Sequence, residues 1–208
     1  MAKSKRATMA VEEQAKTDVY CFLAGIFSSH PTQDTVWGLC QMAEVLGVSC
    51  TNDFSLPALD REYMDLFVVP NPRYVAPYES VYRDRWLPPS LPAAGGRSDS
   101  ASVMIKGLLM GDSTLNVQQC YVEAGVMPDD DLPDHIANEL RLMAYLSARQ
   151  AEIPASDAKS LAGLQARLRQ EHLMQWIGQL RERVVESDHL GYYTAALEIA
   201  ELVLQGDA

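Results

Sequence analysis

The sequence predicts an all-α protein, a globular helical bundle with a proline- and aromatic-rich loop. Three observations carry that prediction. Apolar residues recur at three- and four-residue steps along most of the 208-residue chain, the spacing of one helix face. No alternating apolar/polar run longer than a few residues marks a strand. The periodic stretches are separated by proline-, glycine- and acid-rich segments that cannot continue a helix.

Taken in order, Val11, Ala15, Val19, Phe22 and Ile26 define the inner face of a first helix. His30-Pro31 ends it, because proline lacks an amide donor and constrains the residue before it. A second helix covers Asp34 to Leu46, with Val36, Leu39, Ala43 and Leu46 on one side and Gly47 as its stop. A third runs through Leu59, Tyr63, Leu66 and Phe67. From Val69 to Pro92, Pro70, Pro72, Pro77, Pro88, Pro89 and Pro92 preclude a long helix. The same segment holds Tyr74, Tyr78, Tyr82 and Trp86, more aromatic surface than a mere connection needs. Residues 93–100, AAGGRSDS, read as linker, and short helices are expected in 101–110 and 114–124, ended by Gly111 and Gly125. A long helix begins near Asp134 and buries Ile136, Leu140, Met143 and Leu146. Another spans 157–186 with Leu161, Leu164, Leu168, Trp176, Leu180 and Val184 inward, and the last carries Tyr193, Leu197, Ala200 and Leu204.

These elements are expected to form one domain over 1–208, with an N-terminal helix group (1–125), a hinge (126–133) and a C-terminal group (134–208). A hinge there permits a homodimer made by domain swapping.

Composition sets the outer bounds. Hydrophobic residues make up 48% of the chain, so wholesale disorder is ruled out. Seventeen Lys and Arg against 28 Asp and Glu give a net charge of −11. That field repels nucleic acid and anionic lipid and attracts cations or basic peptides; on its own it reads as solubility charge. No apolar run approaches the roughly 18 residues that span a bilayer, so no membrane insertion is expected. The basic start, MAKSKR, is not followed by the apolar core of a secretory signal, and a cytoplasmic location is expected. Cys21, Cys40, Cys50 and Cys120 are scattered, with no Cys-x-x-Cys pair, which fits a reducing compartment better than a zinc knuckle or a disulfide framework.

The densest polar cluster is Asp129, Asp130, Asp131, Asp134 and His135, with Glu139 one helical turn beyond His135. It reads as a metal or proton site, or as helix N-capping beside a solvated acidic loop; composition favours the capping. His30, His172 and His189 stand at no metal-ligand spacing. His172, four residues before Trp176 on an apolar face, reads as a core or groove histidine, His189 as a helix cap and His30 as a turn residue. There is no nucleophile elbow, phosphate loop or dinucleotide fingerprint, so no catalytic residue, metal ligand or cofactor is assigned. What remains is Tyr63-Met-Asp-Leu-Phe67 and Pro77-Tyr-Glu-Ser-Val-Tyr82. They read as core aromatics with a structured loop, or as the walls of a groove for an apolar helix with Glu79 at its charged end.

Three segments, REYMDLFVVP, APYESVYRD and LPDHIANELRLMAYL, in this order and at these separations, resemble the TorD/DmsD/NarJ family of redox-enzyme maturation chaperones. The resemblance spans roughly the whole chain. Two positions depart from the family pattern: Leu132 stands where an acid is usual, and Val68-Val69 where a glycine commonly precedes Pro70. The resemblance implies a cytoplasmic, non-enzymatic chaperone. Its partner would be the apoprotein, or the twin-arginine signal peptide, of a molybdenum-cofactor oxidoreductase, held until cofactor insertion is complete. It implies a peptide site built from Tyr63, Phe67, Pro77, Tyr78, Glu79, Ser80 and Tyr82, with Asp134, His135 and Glu139 toward the basic end or the hinge. The competing readings are a helical metal-dependent hydrolase using the Asp/His/Glu cluster, and a helical adaptor with no maturation role.

Overall fold

A computed structural model describes residues 2–51, 53, 55–86, 105–106, 109–128, 132–153 and 155–206, with backbone alone at 2–9, 85–86, 105–106 and 155–157. The fold is all-α. Its helices are α1 (Ala2–Ser28), α2 (Gln33–Leu46), α3 (Leu56–Tyr63), α4 (Glu79–Arg83), α5 (Asp112–Ala124), α6 (Ile136–Glu152), α7 (Ala155–Arg167), α8 (Met174–Ser187) and α9 (Tyr192–Gly206). One small antiparallel pairing, Arg85–Trp86 with Ile105–Lys106, is the sheet among the described residues.

Local signals set most boundaries as the sequence suggests. Thr32 caps α2 through its hydroxyl, and Gly47 closes it at φ 71°, a left-handed conformation that glycine adopts without steric cost. Ser55 caps α3, and Gly125 closes α5 at φ 74°. The predicted 157–186 helix is continuous in course but widens into a π-helical turn, Leu168–Leu173, between α7 and α8. A second π turn, Met64–Val68, extends α3, with the Val69 amide donating to the Met64 carbonyl at 2.8 Å. Such turns shift the side-chain register and gather at functional positions. Here they place Phe67 and His172.

Three expectations are corrected. The buried face of α1 is Tyr20, Leu23, Ala24 and Phe27 together with Ile26 of the predicted stripe; Val19 and Phe22 of that stripe are half-buried against the core, and Val11 and Ala15 are exposed. The alternative stripe is as apolar as the first and offers small Ala24 for a close approach to α6, against which α1 packs along its length. No helix occupies the described part of 101–110: Ile105–Lys106 form a strand, and Met110 sits at φ 65°, which a right-handed helix excludes. Gly111 therefore starts α5 instead of ending a helix. A side chain at Gly111 would collide with the Asp84 carboxylate, whose two oxygens accept from the Ser113 amide at 2.9 Å and its hydroxyl at 2.6 Å. The linker 93–100 and Asp129–Asp131 lie outside the described residues.

The core joins both halves of the chain. α6 is central and buried on nearly every side, from Ile136 and Ala137 through Leu140, Leu142 and Met143 to Leu146. Trp176, Ile177, Leu180 and Val184 of α8 and Leu197, Ile199, Ala200 and Leu204 of α9 pack in the same cluster. Arg73, in the loop after the Met64–Val68 π turn, ties that loop to the end of α8: it pairs with Glu62 and Asp65 and donates to the Ser187 carbonyl.

Candidate functional site

The two signature segments pair with each other. The Glu79 amide donates to the Asp134 carbonyl at 2.9 Å, and the Ile136 amide donates to the Pro77 carbonyl at 2.9 Å, an antiparallel bridge centred on Tyr78 and His135. Pro77 fits its place because only its carbonyl is asked to bond. The Asp134 carboxylate accepts from the Ser80 amide at 3.0 Å, so Asp134 caps the first turn of α4. The cap of α6 is His135, whose Nδ1 accepts from the Ala137 amide at 3.1 Å. That acceptor role leaves the neutral ring's proton on Nε2.

Side chains alternate across an extended segment. Pro77 and Glu79 therefore face inward, and Tyr78 faces the other way. On the inner side, Glu79, Ser80, Asp134 and Glu139 are all fully buried. Glu79 pairs with Arg83, and its Oε2 lies 2.9 Å from His172 Nδ1. Arg83 also donates to the Glu171 carbonyl at 2.6 Å. Burial alone would lower the His172 imidazole; hydrogen bonding to Cys120 and Glu79 outweighs it and holds the ring up at about 9. The Glu139 carboxyl accepts from the Trp176 indole at 3.4 Å. Burial, and then the neighbouring Glu79 charge, push Glu139 well above the usual carboxylate range. Tyr82 stacks on Trp176 with ring centroids 5.5 Å apart, donates its hydroxyl to the Ala76 carbonyl at 2.9 Å, and is raised by burial. These residues form an internal polar clamp, and Glu79, placed by the sequence reading at the charged end of a groove, is enclosed within it.

The outward side is a cavity of about 380 Å³ walled by Phe27, Tyr63, Phe67, Tyr74, Tyr78 and His135. The Tyr78 and His135 rings meet edge-on at 5.0 Å. Phe67 meets Phe27 at 5.9 Å and Tyr193 at 5.1 Å, both edge-on, and Tyr63 lies 6.1 Å from Phe67. Val68, which also lines the cavity, and neighbouring Val69 are both exposed and extend the apolar surface at the rim. Of the residues singled out in the sequence, the cavity gathers Tyr63, Phe67, Tyr78 and His135. It does not gather Pro77, Glu79, Ser80, Tyr82, Asp134 or Glu139.

Sequence reasoning missed Phe27, Asn138 and Arg141, and noted Tyr74 only as part of an aromatic loop. Arg141 donates to Asn138 Oδ1 at 2.9 Å. The two form a wall shared with a second cavity of about 200 Å³, bounded by Tyr121, Val126, Met127, Leu142 and Tyr145. Asn138, Arg141 and Tyr145 are at three- and four-residue steps, a face of α6 that was legible but overshadowed by the stronger apolar stripe. The site can enclose apolar side chains and offer a guanidinium. Among the described residues no group of three His, Cys, Asp or Glu is placed to hold a metal ion.

Comparison with known proteins identifies the family. The model of the family described as nitrate reductase delta subunit matches residues 32–182. A curated protein named chaperone protein TorD, from the El Tor Inaba strain of Vibrio cholerae serotype O1, is 30% identical over 154 residues, 72% of this chain and 60% of the relative. The protein of the same name from the Classical Ogawa strain is 29% identical over the same shares. The match thus spans three-fifths of the curated relatives' own length. The chain belongs to this family, the TorD/DmsD/NarJ family.

Proposed function

We propose that this protein is a cytoplasmic chaperone for the maturation of a molybdenum-cofactor oxidoreductase. It binds the apoprotein, its twin-arginine signal peptide, or both, and delays export until the cofactor is in place. The observation that carries the reading is the pairing of the two family segments: the clamp formed by Glu79 with Asp134 and His172 turns Tyr78 and His135 outward to complete the aromatic cavity. Among the described residues no helix is long and apolar enough to cross a membrane.

A twin-arginine peptide has a basic start and an apolar middle. The cavity suits the apolar part. Burying roughly 300 Å² of apolar surface at ~25 cal/mol/Å² supplies several kcal/mol before association costs. The basic part is drawn by the net charge of −11. Since Glu79 and Asp134 are enclosed, its contacts fall on carboxylates at the rim, such as Asp60, which pairs with His30, whose ring packs on Tyr63. The hydrolase reading has no comparable support: of its proposed ligands, Asp134 accepts from the Ser80 amide, His135 Nδ1 from the Ala137 amide and Glu139 from the Trp176 indole. A hinge at 126–133 allows a domain-swapped homodimer: exchange of 134–208 between two copies would seat α1 on the partner's α6, and light scattering reads that mass.

The deciding experiment is calorimetry with signal peptides of candidate molybdoenzymes, in low and high salt. Binding that weakens several-fold with salt, and that is lost when the peptide's apolar middle is made polar, supports the reading. If no twin-arginine peptide or apoprotein binds, the reading fails.

A further inference from the structure

Away from the cavity, Cys40 on α2 and Cys50 in the segment after it bring their sulfurs to 3.2 Å, one thiol hydrogen-bonded to the other. Ten residues separate them. The left-handed turn at Gly47 reverses the chain after α2 and folds Cys50 back against the helix. Both are half-buried, so a small oxidant has access while the thiols are held side by side. Tyr192, whose charge state both sulfurs influence, lies close by at the start of α9.

We propose that Cys40 and Cys50 are a peroxide-modified pair, oxidised within the folded chain to a disulfide and restored by a dithiol. The thiolate of one of the pair attacks one peroxide oxygen and breaks the O–O bond, giving a sulfenic acid and, after proton uptake, water. The other sulfur then attacks the sulfenic sulfur, gives up its proton and expels the second water. Two thiols and one hydrogen peroxide thus become one disulfide and two waters, with the two electrons passing from sulfur to oxygen. With the sulfurs 3.2 Å apart, whichever is oxidised first meets the other as its resolving thiol. The remaining two thiols lack such a partner in position: Cys21 is exposed on α1, and Cys120 is buried against Arg167. An S–S bond of about 2.05 Å asks the sulfurs to approach by roughly a further ångström.

The test is to treat the native, fully reduced protein with a slight molar excess of hydrogen peroxide, alkylate, and map the thiols by mass spectrometry. The expected result is a fall from four free thiols to two, a linked peptide joining Cys40 and Cys50, and full recovery with dithiothreitol. Cys40→Ser abolishes the linked peptide, and Cys21→Ser leaves it at the wild-type yield. The proposal is overturned if Cys40 and Cys50 stay alkylatable while Cys21 is oxidised, or if they form only sulfinic acids or links between chains. The wild-type map decides this even if a serine variant folds poorly.

Discussion

His172 Nδ1 lies 2.9 Å from Glu79 Oε2, and both side chains are buried although 93 positions separate them in sequence. The contact fastens the π turn before α8 to the first turn of α4. Because His172 is held up at about 9 in the fold, against roughly 6.5 when unfolded, the native state keeps a proton that the unfolded chain has released between those values. Stability from this pair is therefore complete below about pH 6.5 and is lost as pH rises through 9. Thermal melts should fall across that window, corresponding to on the order of 2–3 kcal/mol. In His172→Gln the slope over the same range should flatten. An equal slope in the variant would remove His172 from the account.

Glu139 yields a prediction of a different kind. Its folded carboxyl is raised by burial and by Glu79, so the stability it contributes is present below the unfolded value of 4.5 and is lost as pH rises above it. At neutral pH a carboxyl there is a liability that an amide of the same shape avoids. Glu139→Gln keeps an oxygen for the Trp176 indole and should raise the melting temperature at pH 7–8, with little change at pH 4. Glu139→Ala removes that oxygen and leaves a void beside buried Trp176, and should lower the melting temperature at both.

Much of the fold was legible because helix periodicity and stop signals are local. Gly47 and Gly125 act within a few residues of themselves, and the stripes of α6, α8 and α9 are strong. The face of α1 was legible only in part: Ile26 is buried and Val19 and Phe22 reach the core, but Val11 and Ala15 are exposed, because two adjacent stripes are about equally apolar and packing on α6 chooses between them. The site was legible in part for a related reason. Sequence marks which residues are unusual, but which side of a strand-like segment faces a cavity depends on its partner. Once Pro77–Ser80 docks on Asp134–Ile136, alternation sends Glu79 inward and Tyr78 outward. Arg141 and Phe27 reach the cavity from helices whose dominant patterns announce core and overshadow the face that lines it.

Asp134 should behave as a clamp residue. Its carboxylate accepts the Ser80 amide in a buried setting, and a charge-assisted bond of that sort is worth roughly 1.5–3 kcal/mol. Asp134→Ala should destabilise by about that amount in urea unfolding. Asp134→Asn keeps an acceptor and should recover most of the loss. If both variants unfold at the wild-type midpoint, the Ser80 contact contributes nothing measurable.

Tyr74 and Phe67 both wall the cavity, but they differ in how much of the fold leans on them. Phe67 is buried and meets Phe27 and Tyr193 edge-on, so Phe67→Ala should cost about 3–5 kcal/mol and confound any binding result. Tyr74 is 36% exposed and stands at the rim. Tyr74→Ala should leave the melting temperature within about a degree or two, because surface truncations of this kind shift stability by roughly 0.5 kcal/mol or less. It should still weaken signal-peptide binding about 5- to 10-fold, the effect of losing ~1 kcal/mol of aromatic contact. Glu79→Gln makes the complementary comparison: its carboxylate is enclosed, so it should shift the melting temperature more than the affinity. Calorimetry and melts on the pair separate the cavity that receives a peptide from the clamp that shapes it. An unchanged affinity in Tyr74→Ala would move the peptide site off this rim.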